Sequence, residues 1–304
     1  MTRISMSLLR KTEPRLAGTN NPPFPAETRS AAESEPTDEV TGGNGEAPRK
    51  GLLIVNADDW GQDRITTDRI LECVRHGSIS SVSAMVFMED SERSATIARE
   101  SGINAGLHIN FTTAFSSARG GTQLVEHQQK LSRYLRQHRF SPVVFHPGLT
   151  RSFEYVVAAQ LEEFHRIYDA PPDRVDGHHH MHVCANVLVG RLLPAGTMVR
   201  RNFSFRPGEK GWSNRAYRGL VDRMLAKRHR LTDFFFSLPP LEPKSRLQRI
   251  FSLARQFVVE VETHPVNPEE YEFLTEGEFF GMAGDIQIAR RYMTPSRVVL
   301  YAAN

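Results

Sequence analysis

Short apolar runs and amphipathic stretches follow one another along the chain after residue 50. Residues 52–55 form a continuous apolar run that leads into two acidic residues, which predicts a strand buried on both faces. Residues 66–76 place apolar side chains on one side of a helix, and Gly77 is a typical helix end. Alternation over residues 81–87 predicts the next strand, and residues 89–100 predict the next helix.

The same succession of strands and helices continues toward the C-terminus. We predict strands over residues 105–110, 174–183 and 258–262, and helices over residues 153–168 and 245–257. Strands that alternate with helices form βα units with parallel pairing, so the expected fold is α/β, either a barrel or a doubly wound sheet. Residues 114–149 have no clear local pattern and are interpreted as a long excursion between βα units.

The N-terminal segment has a different composition. Prolines are scattered through residues 1–50, and residues 31–46 contain five acidic residues and no basic residue. Such a segment cannot bury enough apolar surface to offset the entropy lost on ordering. We therefore predict a disordered, Pro/Ser/Glu-rich tail over residues 1–50 and a single folded domain over residues 51–304.

Composition excludes several classes of protein. The 304 residues are 39% hydrophobic and 24% charged, which is enough for a sizeable core. No run reaches the roughly 18 apolar residues of a membrane helix, and the net charge of +3 is too small for a dedicated nucleic-acid binder. Two cysteines do not make a disulfide framework, and the N-terminus lacks the apolar stretch of a secretory signal. A cytoplasmic protein is the expectation.

Histidines are concentrated in one predicted strand. They are His178, His179, His180 and His182. Because strand side chains alternate, we expect His178, His180 and His182 to share one face, with Asp176 beside them. Imidazoles next to a carboxylate are a common transition-metal site. A surface histidine run is the alternative, but this run is internal, interrupted and set in an apolar pattern.

Two adjacent carboxylates follow the first predicted strand, where βα folds place their active sites. Since adjacent residues of an extended segment point in opposite directions, one of Asp58 and Asp59 can bind a metal while the other acts as a base. A turn or a helix N-cap is the alternative explanation, because aspartate is favoured in both.

Two further histidines also lie at predicted strand ends, His108 and His264. An aspartate and two histidines from three strand ends would supply three protein ligands and leave positions for water and substrate, as in a catalytic metal site. His264 could protonate a leaving group, since an unperturbed imidazole has a pKa of about 6.5. A packing histidine before Pro265 is the alternative.

Four segments of the chain carry a family resemblance. They are Leu-Ile-Val-Asn-Ala-Asp-Asp-Trp-Gly (53–61), Gly-Leu-His-Ile-Asn (106–110), Asp-Gly-His-His-His-Met-His (176–182) and Glu-Thr-His-Pro (262–265). In this order they resemble the motifs of the YdjC-like carbohydrate deacetylases, the chitooligosaccharide deacetylase family. The resemblance extends over roughly residues 51 to 301, and its specificity lies in the combination of the motifs.

The resemblance implies a fold and a set of roles. The fold is a distorted (β/α) barrel of the polysaccharide-deacetylase type. One divalent metal ion would be bound by Asp59, His108 and His178. Asp58 would be the general base, and His264 would be the acid.

These observations lead to one main hypothesis and two alternatives. The main hypothesis is a metal-dependent hydrolase that removes acetyl groups from N-acetylated sugars or short oligosaccharides. Asp176, His180 and His182 are expected to orient Asp58 or a ligand, or to contact substrate. The alternatives are a metal-dependent amidohydrolase or phosphoesterase acting on another small substrate, and a catalytically inactive sugar- or metal-binding protein.

The metal and the partners are less specified. Two imidazoles and a carboxylate suit Zn, Mn, Fe, Co or Ni by ligand type, whereas the resemblance implies Mg. The expected partner is an acetylated sugar, with neither nucleic acid nor membrane, and a homodimer is a further possibility.

A basic stretch over residues 200–230 is interpreted as an ordinary solvated helix face. It carries ten basic residues against two acidic ones, but apolar positions at 220, 221, 224 and 225 mark a helical face. Arg200 or Arg201 is the exception, because a strand end there would bring a guanidinium near the carboxylates. Cys184 is interpreted as a packing residue.

Overall fold

The computed structural model describes residues 51–294, which are built around one parallel sheet. Its seven strands are β1 (Leu52–Trp60), β2 (Ser81–Ala84), β3 (Ala105–Ile109), β4 (Arg174–Gly177), β5 (Met198–Val199), β6 (Phe234–Ser237) and β7 (Val258–Thr263). Their order is β5-β4-β3-β2-β1-β7-β6, and neighbouring strands are parallel. The predicted disordered tail over residues 1–50 lies outside the described residues.

Helices link and cover the strands. They are α1 (Arg64–His76), α2 (Ser91–Ser101), α3 (Thr122–Gln137), α4 (Thr150–Tyr168), α5 (Ala185–Gly190), α6 (Trp212–Ala226), α7 (Lys244–Leu253), α8 (Pro268–Thr275) and α9 (Glu278–Ala283). Local capping sets their ends: Asp63 accepts a hydrogen bond from the Thr66 amide at the start of α1, and Gly77 ends α1 at φ 80°. No helix within residues 51–294 has both the length and the apolar character needed to cross a membrane.

The sheet is curled, and backbone hydrogen bonds connect its two edges. Val199 of β5 donates to the Arg230 carbonyl at 2.9 Å. The Ser204 amide donates to the Phe235 carbonyl of β6 at 2.8 Å. The expected α/β fold, a distorted (β/α) barrel, is therefore confirmed.

Strand alternation separates an apolar exterior from a partly polar interior. On β7, Val259 and Val261 pack into the main hydrophobic core, whereas the buried Glu260 and Glu262 contact Arg200 on the other face. The start of the strands is closed by a small apolar cluster. It contains Leu52, Ile54, Met198, Ala289 and Tyr292. The interior thus changes from apolar near the strand starts to charged toward the strand ends.

The predicted strand over residues 174–183 is wrong after Gly177. Residues His178–Val183 form a 3-10 turn in which His179 and His180 have φ of 54° and 57°. Residues with left-handed backbone angles cannot continue a strand. The histidines therefore do not share one face, contrary to the expectation. Side-chain contacts stabilise this strained backbone. His178 Nδ1 is 2.8 Å from Asp59 Oδ1, and His179 Nδ1 is 2.9 Å from the Thr112 hydroxyl.

The excursion over residues 114–149 contains a helix that the sequence pattern did not reveal. Helix α3 buries Leu124, Leu131 and Leu135, but Gln128 occupies a core position on the same stripe. Gln128 donates to the carbonyl oxygens of Phe111 and Thr113. A polar residue with partners distant in the chain interrupts the apolar pattern, and this hides the helix from sequence inspection.

The predicted apolar face of α6 is only half buried. Val221 and Leu225 are in the core, whereas Leu220 and Met224 are 57% and 41% exposed. The other predicted helices and strands are present with different ends; β2, for example, stops at Ala84.

Candidate active site

The candidate site lies where the strands end. Asp58 and Asp59 are near the end of β1, and His108 of β3 pairs in register with Asp176 of β4. Parallel strands bring all their carboxyl ends to one side of the sheet, and this is why residues distant in sequence meet there.

Asp59, His108 and His178 converge on one point. One ligand atom from each lies within 4.8 Å of the other two. Asp59 Oδ1 is 3.4 Å from His108 Nε2 and 2.8 Å from His178 Nδ1. Oxygen and imidazole nitrogen at this spacing are donors that can surround a divalent cation.

The two aspartates turn to the same side, contrary to the expectation of opposite directions. Asp59 has φ 66°, and the pairing of β1 with β2 shifts register between Ala57 and Trp60. This bulge breaks the alternation of the strand. Asp58 Oδ2 consequently lies 3.9 Å from the same His108 nitrogen.

Neighbouring groups orient the imidazoles of His108 and His178. His108 Nδ1 is 2.7 Å from Asp176 Oδ1, and His178 Nε2 is 3.0 Å from the Thr113 hydroxyl. A carboxylate that accepts the Nδ1 proton leaves Nε2 as the ligand atom, and this pairing is typical of metal-binding histidines. The donor set and its support therefore fit a divalent cation.

The charges of the cluster also favour a bound cation. Burial lowers the pKa of His108, but the carboxylates of Asp58, Asp176 and Asp59 raise it to about 10. Burial opposes ionisation of Asp59 too, yet its hydrogen bonds with His108 and His178 hold its pKa well below the usual range. The carboxylates thus favour a positive charge at this point, which a proton or a cation can supply.

Asp58 is held by a buried arginine. Arg200 donates to both carboxylate oxygens, Nη1 to Oδ2 and Nη2 to Oδ1, each at 2.7 Å. The Asn56 side chain donates to Oδ1 at 2.8 Å. Burial raises the pKa of Asp58, but the guanidinium and His108 lower it well below its usual range. Asp58 is therefore an ionised carboxylate with a fixed orientation.

Arg200 binds further carboxylates. Its Nε donates to Glu260 Oε1 at 2.7 Å, its Nη1 to Glu262 Oε2 at 3.2 Å, and its Nη2 is 3.3 Å from Asp176. The side chain is fully buried, so water provides none of the compensation for its charge. Arg200 thus connects Asp58 with the acidic side of β7.

Glu262 borders the cluster on the side of β7. Burial and the charge of Asp58 raise the pKa of Glu262 to about 8. His180 Nε2 is 3.6 Å from Glu262 Oε1, and its ring meets the Phe203 ring at 4.5 Å. Burial and Arg200 lower the pKa of His180 to about 3, so a neutral imidazole faces Glu262.

The two remaining predicted residues, His264 and His182, have contacts outside the cluster of Asp59, His108 and His178. His264 is half-buried, its amide donates to Glu270 at 2.8 Å, and its charge contributes to the lowered pKa of Asp58. His182 is buried, and its Nε2 contacts the Arg200 carbonyl at 3.0 Å. Its contact is thus with the backbone that carries Arg200 and not with the cluster of Asp59, His108 and His178.

The comparisons identify the family. Residues 52–283, more than half of the 304 residues, match the family model described as YdjC-like protein. The chain belongs to the YdjC-like family. The match runs from the first residue of β1 to the last residue of α9, so it includes every residue of the candidate site.

Curated relatives named chitooligosaccharide deacetylase match parts of this YdjC-like chain. The relative from Proteus mirabilis (strain HI4320) is 32% identical over 137 residues, which are 45% of this chain and 52% of that protein. The relative from Enterobacter sp. (strain 638) is 29% identical over 184 residues, or 60% and 63% of the two chains. The chain thus spans between about half and somewhat under two thirds of the length of these relatives.

A solved structure has the same fold. It belongs to a protein of Enterococcus faecalis V583 whose name connects it with cellobiose-phosphate cleavage. The TM-score is 0.58 at 17% identity, and the match covers 79% of this chain and 96% of that one. At such low identity, the likeness concerns the fold alone.

Sequence inspection missed several residues of this YdjC-like site. They are Asn56, Thr113, Glu260, Glu262 and Arg174, whose Nη1 donates to Asp176 Oδ2 at 2.7 Å. Glu260 and Glu262 were detectable in principle, because they are charges at alternate positions of an otherwise apolar strand. Thr113 carries no such signal, since nothing local distinguishes it from an ordinary turn residue. Asn56 lies within the motif over residues 53–61, but no role was assigned to it there.

Proposed function

We propose that this protein is a metal-dependent carbohydrate N-deacetylase, a hydrolase that removes acetyl groups from N-acetylated sugars or short oligosaccharides. The observation that carries the proposal is the convergence of Asp59, His108 and His178 beside the ionised, arginine-held Asp58. The names of the curated relatives support the substrate class.

Asp59, His108 and His178 would hold the cation. A divalent cation there would lower the pKa of water and polarise an acyl carbonyl. The imidazole-rich ligand set suits Zn, Mn, Co or Ni, whereas the family resemblance implies Mg. All five metals are therefore compared.

Asp58 is assigned the role of general base. Its Oδ1 already accepts from Asn56 and Arg200, whereas among residues 51–294 only Arg200 donates to Oδ2. A carboxylate offers about four lone-pair sites, so Oδ2 has capacity left to accept a proton from water. Because the pKa of Asp58 is low, Asp58 is a weak base. It can therefore take a proton only from water whose own pKa has been lowered.

His264 is assigned the role of general acid. Two observations support this role: His264 directly follows β7, the strand that carries Glu262, and it is one of the groups that lower the pKa of Asp58. Protonation of the departing amine there would complete the hydrolysis of the amide.

The test is acetate release from N-acetylglucosamine and di-N-acetylchitobiose by metal-stripped full-length protein re-supplied with Mg, Zn, Mn, Co or Ni. We expect one or more metals to restore release, and Asp59→Ala and His178→Ala to abolish both release and metal binding in titration calorimetry. The matched control is His165→Ala, an exposed histidine of α4, which should behave as the wild type.

Asp58→Asn separates the base from the ligands. It should bind the metal but lose roughly 10²- to 10⁴-fold in turnover, the usual contribution of a general base. Full turnover in Asp58→Asn would contradict the assignment of the base. Absence of release with every metal, from protein that binds metal, would contradict deacetylation and favour another small amide or a phosphoester.

A further inference from the structure

Helix α6 has an apolar stripe on its outer side in addition to its buried face. Val221 and Leu225 pack into the core, whereas Trp212, Leu220 and Met224 are exposed, Trp212 to 81%. These three exposed residues belong to one series of every fourth residue, and residues four apart in a helix lie on the same side. A solvated helix face is normally polar, so an apolar stripe in this place is a candidate contact surface.

A basic stripe runs beside the apolar one. Arg215, Arg223 and Lys227 are exposed and repeat the same series three positions later, and residues three apart are also neighbours on a helix. The acidic residue of α6, Asp222, is bound by Arg201 instead. Within residues 51–294, none of the three basic side chains takes part in an ion pair. The outer surface of α6 is therefore both apolar and positively charged.

An apolar cavity with basic residues in its lining opens beside these stripes, between α5 and α6. Its volume is about 280 Å³. Leu188 and Met224 contribute to the apolar lining, and the basic residues of the lining are Arg191, Lys227 and Arg228. Met224 and Lys227 thus belong both to the stripes and to the cavity. Apolar surface next to positive charge is complementary to a molecule that has an apolar part and an anionic part.

We propose that the outer surface of α5 and α6, formed by the two stripes and the cavity, binds the anionic lipid surface of a bilayer. Apolar side chains of such a helix enter the boundary between head groups and acyl chains, while arginine and lysine contact the lipid phosphates. This contact holds the protein on the bilayer and does not require a segment that crosses it. The proposal goes beyond the deacetylase function and departs from the expectation of no membrane partner.

Charge and polarity disfavour two other occupants of this surface. A second copy that docked through the same stripes would place Arg223 and Lys227 close to like charges of its partner. Nucleic acid would bring its phosphates against Leu220 and Met224, which offer them no hydrogen bonds. A bilayer of anionic lipids satisfies both stripes, because it offers phosphates and acyl chains side by side.

The test measures binding of the full chain to vesicles. The protein should sediment with vesicles of equal parts phosphatidylglycerol and phosphatidylcholine, but not with vesicles of phosphatidylcholine alone. Raising the salt from about 0.1 M to 1 M shortens the screening length from about 10 Å to 3 Å, so binding should weaken. Binding should also shift the tryptophan emission to the blue. Of the two tryptophans, Trp60 is fully buried, so the shift reports on Trp212.

Two variants separate the apolar stripe from the basic one. Leu220→Ser and Arg223→Glu should each weaken binding to the anionic vesicles about tenfold. Ile65→Ser and Arg75→Glu are the matched controls on α1 and should bind as the wild type. Ile65 is exposed like Leu220, and Arg75 lies in the last turn of its helix like Arg223. All four side chains are exposed, so the fold should be retained, and thermal unfolding verifies this.

Three outcomes would overturn the proposal: absence of vesicle binding, equal binding to both kinds of vesicle, and equal effects of the α6 variants and their controls. Binding of double-stranded DNA without vesicle binding, lost in Arg223→Glu and kept in Leu220→Ser, would overturn it in favour of nucleic acid. Acetate release does not enter this test, so failure here leaves the proposed function intact, and failure of the proposed function leaves the lipid contact intact.

Discussion

At the scale of single residues, Arg200 organises the charges of the site. One buried guanidinium contacts Asp58, Asp176, Glu260 and Glu262. A buried charge is tolerated only when it is paired, so these carboxylates and Arg200 depend on one another. The Arg200 side chain also fixes Asp58 by donating to both of its carboxylate oxygens. The same contacts therefore contribute to the stability of the fold and to the orientation of Asp58.

Replacing Arg200 should therefore be costly to the fold. Arg200→Met leaves buried carboxylates without a counter-charge, and we expect the free energy of unfolding to fall by about 3–5 kcal/mol. Urea denaturation measures this change. Arg255→Met is the matched control, because Arg255 is 50% exposed in its pair with Asp285 and should cost no more than about 0.5 kcal/mol. Equal effects of the two substitutions would contradict the role of Arg200.

At the scale of elements, the tight turn after β4 decides where the histidines point. The strand stops at Gly177, and the chain folds back so closely that a Cβ on Gly177 would lie 2.9 Å from the His182 amide nitrogen. Because His178 and His180 lie on this turn, the packing of Gly177 controls a proposed metal ligand and the neighbour of Glu262 together.

Gly177→Ala should displace this turn. The extra methyl meets backbone, which cannot swing away as a side chain would, so we expect a loss of about 1–3 kcal/mol in unfolding free energy. Metal affinity, measured by calorimetry, should fall about tenfold as His178 moves. Gly219→Ala is the control: nothing lies within 4 Å of its Cβ, and alanine in α6 should add about 0.5–1 kcal/mol. Unchanged metal affinity in Gly177→Ala would show that His178 does not depend on the turn.

At the scale of the whole barrel, hydrogen bonds connect the strand starts with the strand ends. Tyr292 belongs to the apolar cluster near the start of β1, and its hydroxyl donates to Glu260 Oε2 at 2.5 Å. Glu260 in turn accepts from Arg200, which holds Asp58. A residue near the C-terminal end of the described chain thereby supports the orientation of the proposed base.

Tyr292→Phe removes only the hydroxyl of this connection. We expect kcat for acetate release to fall about tenfold as Asp58 loses its fixed orientation, with KM and metal affinity unchanged. Steady-state kinetics and calorimetry on the same preparation test this. Tyr217→Phe, at a partly exposed tyrosine of α6, should be neutral. A parallel fall in metal affinity would indicate general disturbance of the site instead of a positioning role.

The sequence by itself determined the order of most of the strands and helices and the positions of the main polar motifs, but it did not reveal β6, α3, α5, α8 or α9. Alternating βα elements imply parallel strands, and parallel strands bring their carboxyl ends together, so Asp58, Asp59, His108 and His178 could be grouped without a structure. The family resemblance made the same grouping and added expected roles. These inferences depend on the local pattern of residues and on the direction of the chain, and both are known from the sequence alone.

Tertiary structure alone decided the geometry of the site. The left-handed turn at His179 and His180 and the bulge at Asp59 depend on contacts with distant residues, which overrule the alternation that the local pattern predicts. The hold of Arg200 on Asp58 and the inward glutamates of β7 depend on which strands become neighbours. Strand order and register arise from packing of the whole barrel, and no local window of sequence contains them.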